Sequence, residues 1–280
     1  MPDTGFFTLP IIIVTVLFSY KGFTNHLFFK KYEFEVDKIL IYKDYKRLVT
    51  SGFLHINWLH LIFNMLTLYV FSGALVGYLG PLKFLFIYFS SLIGGNLLAL
   101  LIHKRDSAYS AVGASGAVNG IIFASIALFP GMRIGFFILP IAIPAWLYGL
   151  LFIAISIYSI KSRRDNIGHE AHLGGALIGM LIAITMQPSV VLENYLPILA
   201  IMVPTLIFMY IIIYKPHYLL VDNLYYKKSH RYSIDQQYNY EKVQEQTDID
   251  KILEKIHKKG IKSLTRKEKE QLENYSRTKR

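Results

Sequence analysis

The sequence predicts an all-α membrane protein that crosses the bilayer several times. Hydrophobic residues make up 53% and aromatic residues 15% of the 280 positions. The mean hydropathy of +0.37 is high for a chain that also carries a charged tail, and this composition does not fit an ordinary soluble domain. The chain contains no cysteine, which excludes disulfides, thiolate metal sites and a cysteine nucleophile.

Seven apolar segments approach the length of about 17 to 25 residues that a membrane helix needs. They are residues 6–20, Trp58–Leu79, 82–102, 115–129, Ala145–Ile160, 171–186 and 196–214. The first could instead be a signal sequence, but the residues before it are acidic rather than basic and no A-x-A cleavage site follows, so we interpret it as a retained helix. Pro197 and Pro204 interrupt the last segment, which could be re-entrant or tilted. We therefore predict six membrane helices and expect the last segment to add a seventh.

Charged residues divide the chain into an apolar body and a basic tail. Residues 1–214 hold fourteen Lys or Arg against nine Asp or Glu, whereas residues 215–280 hold sixteen against ten. We assign four regions on this basis. They are a membrane domain at 1–187, an additional membrane helix at 188–214, a polar Tyr-rich linker at 215–247 and a small basic helical hairpin at 248–280.

The tail hairpin is indicated by helix signals. Ile252, Leu253 and Ile256 give an amphipathic pattern, Gly260 is a stop signal, and Thr265 with Glu268 has capping-box spacing. Its basic excess is typical of a solvated face, of contact with anionic lipid headgroups or of contact with another protein. We predict no nucleic-acid partner, because no groove-reading motif is present.

Few strongly polar side chains lie inside the apolar segments, and such residues usually mark function or a water-filled cavity. They are His60, Asn64, Asn96, Ser115, Asn119 and His172. His60 and Asn64 are four residues apart, which places both on one face of a helix.

The glycines around the serine and the histidine have two interpretations. Gly116 with Gly120, and Gly175 with Gly179, are small-xxx-small pairs that permit close helix packing. However, a serine flanked by glycines, a histidine fifty-seven residues later and two amide or imidazole donors are also the three parts that acyl transfer by a serine needs. Their occurrence together favours chemistry inside the membrane.

Four motifs resemble those of the rhomboid intramembrane serine proteases, in that family's order, over about residues 5–187. The motifs are Arg47 to His55 (RLVTSGFLH), His60 to Asn64 (HLIFN), Gly113 to Gly116 (GASG), and Gly168 followed by Ala171, His172 and Gly175. The resemblance implies a bundle of six membrane helices around a hydrated cavity that opens to one side.

The resemblance also implies a catalytic dyad, with Ser115 as nucleophile and His172 as general base. Asn64, His60 and the Ser115 N–H would hold the oxyanion of the tetrahedral intermediate. The remaining family positions would serve the backbone and the packing of the site: Gly113 and Gly116 for close approach, Gly175 and Gly179 for contact between two helices, and Asn119 beside the histidine.

The implied substrates are single-pass membrane proteins, cut near the outer end of the membrane helix. The resemblance implies no metal and no cofactor. Besides its substrates, the implied partner of the protein is the lipid bilayer. We expect the protein to reside in a bacterial inner membrane.

The chain departs from the family pattern at two positions. Lys46 precedes Arg47 where the family often has Trp, and Asn119 stands where an aromatic residue often packs on the catalytic histidine. Asparagine could hydrogen-bond to His172 instead of stacking on it. Glu170 is expected at the water-facing edge rather than as a third catalytic residue.

Topology follows from the resemblance, which places the N-terminus in the cytoplasm and the first long loop outside. Six helices would return the tail to the cytoplasm, in keeping with its basic charge, whereas a seventh would place it outside. Charge does not decide between them, because the loop 161–170 holds three basic residues and would also lie outside. We predict that the last segment crosses.

Three functional classes remain open. The chain could be an active intramembrane serine protease, a non-proteolytic rhomboid-like protein that binds membrane clients, or an unrelated transporter. The retained Ser115 and His172 count against the second class. No repeated half with matching broken helices is evident, which counts against the third. We predict a protease.

Overall fold

A bundle of apolar helices forms most of the part of the chain that the computed structural model describes. That part comprises residues 7–104, 106–107, 109–129, 131–135, 142–162 and 168–214, and in the tail 249, 252–256, 260, 263–265, 268–269, 272 and 275–276. The helices are α1 (Leu9–Thr24), α2 (His26–Tyr32), α3 (Val36–Leu40), α4 (Arg47–Thr50), α5 (Trp58–Leu79), α6 (Pro81–His103), α7 (Ser115–Leu128), α8 (Ala145–Ser162), α9 (His169–Met186), α10 (Val190–Glu193) and α11 (Tyr195–Tyr214).

Two short antiparallel strand pairs and one 3₁₀ turn complete the described elements. Strand β1 (Phe34–Glu35) pairs with β2 (Ser110–Ala111), which is far away in sequence, and β3 (Arg133–Gly135) pairs with β4 (Ala142–Pro144). The 3₁₀ turn spans Ser51–Phe53. The sequence did not predict either strand pair, since each strand holds only two or three residues and has no visible period.

Each of the seven predicted apolar segments corresponds to a helix. Within the described residues, α5, α6, α9 and α11 are long and apolar enough to cross a membrane, whereas Leu9–Thr24, Ser115–Leu128 and Ala145–Ile160 are shorter apolar helices. The prediction of a helical membrane protein with several spans is thus confirmed. The count of six or seven crossings stays a prediction.

Helix α7 lies at the centre of the bundle. Every residue of α7 after Ser115 is buried, and the helix packs against α5, α6 and α9. A helix that is apolar on all sides is expected to be enclosed by other helices in this way.

Glycines set the distance between α7 and α9. A Cβ atom on Gly175 would collide with the backbone of Gly116, and a Cβ on Gly179 would collide with the backbone of Gly120. The predicted small-xxx-small pairs therefore face each other, and the two helix backbones touch without side chains between them. Helix α6 joins this contact through Gly95, which lies against the backbone of Ala171.

The segment between α1 and α5 is compact rather than an extended loop. Arg47 is buried and its guanidinium donates to the carbonyl oxygens of Lys30 (2.9 Å) and Glu33 (2.7 Å) and to Asp44 Oδ2 (3.0 Å). Burial alone would raise the pKa of Asp44, but hydrogen bonds from Arg47 and Lys46 lower that pKa. The hydrogen bonds of the buried Arg47 therefore hold this segment together. Lys46 adds a surface ion pair with Asp44 at 3.3 Å.

The last apolar segment is one helix, although prolines were expected to interrupt it. Pro204 lies inside α11, and the next residue, Thr205, donates its hydroxyl to the Ile201 carbonyl at 2.7 Å. Twenty residues of α-helix span about 30 Å, the thickness of a bilayer's hydrocarbon core. The helix packs chiefly against α8, where Ile201 lies over Gly149.

The described tail residues show the expected capping box. The backbone N–H of Thr265 donates to Glu268 Oε2 (2.7 Å), and the Glu268 N–H donates to Thr265 Oγ1 (3.3 Å). Lys255 Nζ bonds both Glu268 oxygens at 2.8 and 2.9 Å, and Ile249, Ile252 and Leu264 are buried together. The predicted linker 215–247 lies outside the described residues.

The contact of α7 with α9 predicts that Gly179→Ala destabilises the bundle. Alanine favours a helix over glycine by about 1 kcal/mol, but overpacking a core costs typically about 1 to 3 kcal/mol. The colliding atoms at Gly179 belong to backbone, which cannot rotate away, so we expect a net loss of about 2 kcal/mol, measured as the free energy of unfolding in mixed micelles.

Gly135→Ala is the control for this substitution, because a Cβ atom there would meet nothing within 4 Å. Equal unfolding free energies for the two variants would show that the glycine contact does not hold the helices together.

We predict that the tail loses stability in acid, because the Glu268 carboxylate becomes protonated. Hydrogen bonds from Lys255 and Thr265 lower the pKa of Glu268 from 4.5 to about 2. A lowered carboxyl pKa stabilises the fold above the unfolded pKa, and this stabilisation is lost as pH falls from about 4.5 towards 2. The hydrogen-exchange protection factors of the tail amides, which are corrected for the intrinsic effect of pH on exchange, should therefore fall over this range in the wild type. In Glu268→Gln the protection factors should be low already at pH 7 and change less with acid.

Candidate active site

Ser115 and His172 meet at the amino ends of two adjacent helices. Ser115 is the first residue of α7, as its sequence context predicted, and His172 lies in the first turn of α9. A hydrogen bond of 2.6 Å joins His172 Nε2 to Ser115 Oγ. Both residues are half-buried, so the pair has access to the surroundings of the bundle and stands within the distance that proton transfer needs.

The helix ends add an electrostatic contribution at this point. The first N–H groups of a helix have no intrahelical acceptor and carry partial positive charge. The first turn of α7 therefore directs N–H groups towards the surroundings of the Ser115 hydroxyl, which is the arrangement that stabilises a negative oxygen.

The imidazole of His60 lies close to Ser115 because Gly113, between them, has no side chain. Gly113 has φ +132°, a conformation that L side chains rarely adopt, and a Cβ atom there would lie 2.9 Å from His60 Cε1, 3.0 Å from His60 Nε2 and 3.6 Å from Ser115 Oγ. A glycine at this position is thus required both by the backbone and by the imidazole beside it. It allows His60 to approach the serine.

Asn64 lies one turn after His60 on the same face of α5 and is buried. Its amide donates to the His60 carbonyl at 3.0 Å. An asparagine amide has two hydrogens, so this bond fixes the side chain while using one of them. The Asn57 side chain caps the helix by accepting the His60 N–H at 2.8 Å.

The backbone just before Ser115 is held in place by hydrogen bonds to the segment between α1 and α5. The Gly113 N–H donates to the Ser51 carbonyl (3.0 Å), and the Ala114 N–H donates to His55 Nε2 (3.4 Å). Asn96 of α6 in turn donates to the Leu48 carbonyl (2.8 Å) and to Ser51 Oγ (3.2 Å). Asn96 therefore anchors the segment on which the loop before Ser115 rests.

Within the described residues, the Asn119 amide forms its hydrogen bond inside its own helix, whereas the sequence raised a bond to His172 as an alternative. Its amide donates to the Ser115 carbonyl at 2.8 Å, one turn earlier in the same helix. The aromatic neighbour of His172 is instead Phe152 of α8, with ring centroids 6.3 Å apart, and His169 lies at 5.7 Å. No sequence pattern points to Phe152, because one Phe among many on an apolar helix has no distinguishing spacing.

Glu170 is also placed differently from the prediction. Its side chain is only 11% exposed, and Oε1 lies 3.3 Å from His103 Nε2 at the end of α6. The His103 ring stacks on Tyr109 at 3.7 Å. Burial, with the negative charges of Glu170 and Asp106, raises the pKa of Tyr109 far above its ordinary value. Glu170 therefore fastens α9 to α6 beside the site rather than facing water.

Gly116, Gly175 and Gly179 occupy the contact between α7 and α9, as predicted, and so place the two helix ends side by side. The structure thus gathers His60, Asn64, Gly113, Ser115 and His172 at one end of the bundle. His55, Phe152 and Ser51 join them without having been singled out as site residues.

Comparison with known proteins agrees with this arrangement. The Rhomboid domain family matches residues 42–189, and a family of unknown function, DUF6576, matches residues 232–278. The chain is 34% identical over 151 residues to "RHOMBOID-like protein 12, mitochondrial" of Arabidopsis thaliana, covering 48% of this chain and 44% of that protein.

Two further relatives come from yeast and a bacterium. "Rhomboid protein 1, mitochondrial" of Saccharomyces cerevisiae is 33% identical over 51% of this chain and 43% of its own length. "Putative rhomboid protease YdcA" of Bacillus subtilis is 34% identical over 49% of this chain and 65% of its own length. The matched region spans less than half of the first two relatives and under two thirds of the third. Because the Rhomboid domain match covers just over half of the 280 residues and includes the whole serine–histidine site, the chain belongs to the rhomboid family.

Proposed function

We propose that the protein is an intramembrane serine endopeptidase that hydrolyses peptide bonds in or near the membrane helices of other proteins. The observation that carries this proposal is the 2.6 Å hydrogen bond between Ser115 Oγ and His172 Nε2. A packing role alone would not require a hydroxyl and an imidazole in direct contact at a half-buried position with an imidazole and an amide beside them.

The reaction follows from the geometry. Ser115 Oγ attacks the scissile carbonyl carbon while His172 Nε2 takes the hydroxyl proton. The carbonyl oxygen becomes an oxyanion, which the Ser115 N–H, His60 and Asn64 stabilise. Collapse of the tetrahedral intermediate breaks the C–N bond, and His172 returns the proton to the leaving amine. Water then attacks the acyl carbon with His172 again as base, and this releases the acid and restores Ser115.

Single-pass membrane proteins are the proposed substrates. A helical peptide holds its carbonyls in i to i−4 bonds, so the segment to be cut must first unwind. Glycine and proline disfavour a helix by about 1 and 3 kcal/mol, so we expect cleavage where such residues weaken the substrate helix.

Substitution of the dyad tests the proposal directly. We expect Ser115→Ala and His172→Ala each to lower the rate of cleavage of a Gly/Ala-rich model membrane helix by a factor on the order of 10³ or more. The measurement is the initial rate with purified protein in liposomes.

Ser125→Ala is the matched control, because Ser125 lies on the same helix and donates only to the Ile121 carbonyl, at 2.9 Å. Its rate should equal that of the wild type. Cleavage that survives Ser115→Ala would remove Ser115 as the nucleophile. A wild type that binds a panel of such helices without cutting any would favour client binding instead.

A second proposal concerns topology: the chain crosses the membrane seven times, with α11 as the last span. The length and apolarity of α11 support it. A reporter fused after residue 240 should then lie on the opposite side of the membrane from one fused before residue 7, measured by protease accessibility in sealed vesicles. Both reporters on one side would mean that one of the seven helices does not cross.

The length and apolarity of the helices support a membrane location. The bacterial inner membrane expected from sequence has no support from the comparisons, because the Arabidopsis and yeast relatives are named as mitochondrial. We therefore propose an integral membrane location and no particular membrane.

A further inference from the structure

A serine of the first helix reaches the loop beside the active site. Ser19 is fully buried on α1. Its hydroxyl donates to the Phe53 carbonyl at 2.8 Å and forms a second hydrogen bond, of 3.0 Å, with His55 Nδ1. Neither Ser19 nor His55 has a role in the dyad, and both are hidden from any substrate.

The hydrogen bonds define one protonation state of His55. The Ala114 N–H points at Nε2, which must therefore be an acceptor. A neutral imidazole then carries its hydrogen on Nδ1 and donates it to Ser19 Oγ, whose own hydrogen goes to the Phe53 carbonyl. Every donor in the chain from Ala114 to Phe53 has an acceptor. Burial lowers the pKa of His55 to about 3, with a smaller contribution from His60, so the ring stays neutral at physiological pH.

His55 touches both halves of the proposed oxyanion site. On one side its Nε2 holds the backbone immediately before Ser115. On the other its ring packs edge-on against His60, with centroids 4.8 Å apart and planes at 70°. A shift of His55 would therefore move the Ser115 N–H and the His60 imidazole together.

We infer that Ser19 and His55 are positioning residues for the oxyanion site, with Ser19 fixing the tautomer and orientation of His55, and His55 fixing the loop at Ala114 and the ring of His60. This inference rests on the proposed function. It gives the first helix a part in catalysis although that helix carries neither residue of the serine–histidine pair.

The helix itself provides a matched pair of variants for a test. Ser19→Ala removes the hydroxyl that accepts from His55. Thr15→Val removes another fully buried hydroxyl one turn earlier, which donates only to the Ile11 carbonyl of the same helix at 2.7 Å. Both lie on one face of α1, so general effects on packing should be similar in the two.

We expect Ser19→Ala to lower kcat for the model membrane helix by about five- to thirty-fold with KM changed by less than about twofold, because loss of a whole oxyanion donor costs about 10² to 10³ in kcat and misplacement costs less. Thr15→Val should retain the wild-type kcat. The thermal midpoints of the two variants should agree.

Binding of a transition-state mimic distinguishes a positioning role from general disruption of the site. A peptide aldehyde forms a hemiacetal oxyanion with Ser115, whereas the corresponding primary alcohol cannot. Ser19→Ala should weaken binding of the aldehyde by the same factor as kcat and leave binding of the alcohol unchanged. His55→Gln, whose amide oxygen can still accept the Ala114 N–H, should retain more activity than His55→Leu.

The outcomes separate this inference from the proposed function. If the wild type cleaves and Ser115→Ala does not, but Ser19→Ala behaves like Thr15→Val, the positioning role is overturned and the protease stands. Equal losses of aldehyde and alcohol binding in Ser19→Ala would also overturn it, since they indicate a disordered site. A wild type that cleaves no membrane helix overturns both.

Discussion

The contact between the backbones of α7 and α9 is the constraint on which the rest of the structure depends. Gly116 meets Gly175, and Gly120 meets Gly179, without an intervening side chain. Ser115 precedes the first of these contacts by one residue and His172 precedes it by three, so the separation of the two side chains follows from the separation of the two helices. This arrangement needs no flexible loop to bring the serine and the histidine together. In lipid, where the hydrophobic effect does not drive helices together, such close packing is the main source of cohesion.

Buried polar side chains add hydrogen bonds that hold the segment between α1 and α5 against the bundle. Arg47 collects the carbonyl groups of the first inter-helix segment, Asn96 ties that segment to α6, and the Ser19–His55 pair ties it to α1. Each bond joins residues far apart in sequence. The bonds of Arg47, that of Asn96 to Leu48 and that of Ser19 to Phe53 end on backbone carbonyl groups, which are costly to leave unpaired in an apolar environment. The consequence is a rigid support under the loop at Gly113, whose φ of +132° is a conformation that other residues rarely adopt.

The sequence predicts the elements that depend on local spacing. The apolar segments and the start of α7 at Ser115 follow from the lengths and limits of apolar runs, and the glycine pairs and the capping box of the tail follow from spacings of four and three residues. The structure has each of them. Phe152 beside His172 and Ser19 beside His55 could not be found in this way, because partners twenty or thirty-six residues apart leave no local pattern. A related reason applies to Asn119. An asparagine within a helix can donate to the carbonyl one turn back, and Asn119 uses that local acceptor rather than the histidine.

The link between α9 and α11 has a consequence for how the molecule is made. Asn194 donates to the carbonyl oxygens of Ile126 (2.8 Å) and Ala127 (3.2 Å), two of the open groups at the end of α7. During synthesis those groups have no such partner until the chain beyond residue 194 leaves the ribosome. Helix α7 can thus be inserted early, but its far end is closed only by a segment translated nearly seventy residues later. Closure of α7 therefore depends on synthesis of the chain as far as Asn194, and a nascent protein arrested before that residue would hold Ser115 on a helix whose far end is open.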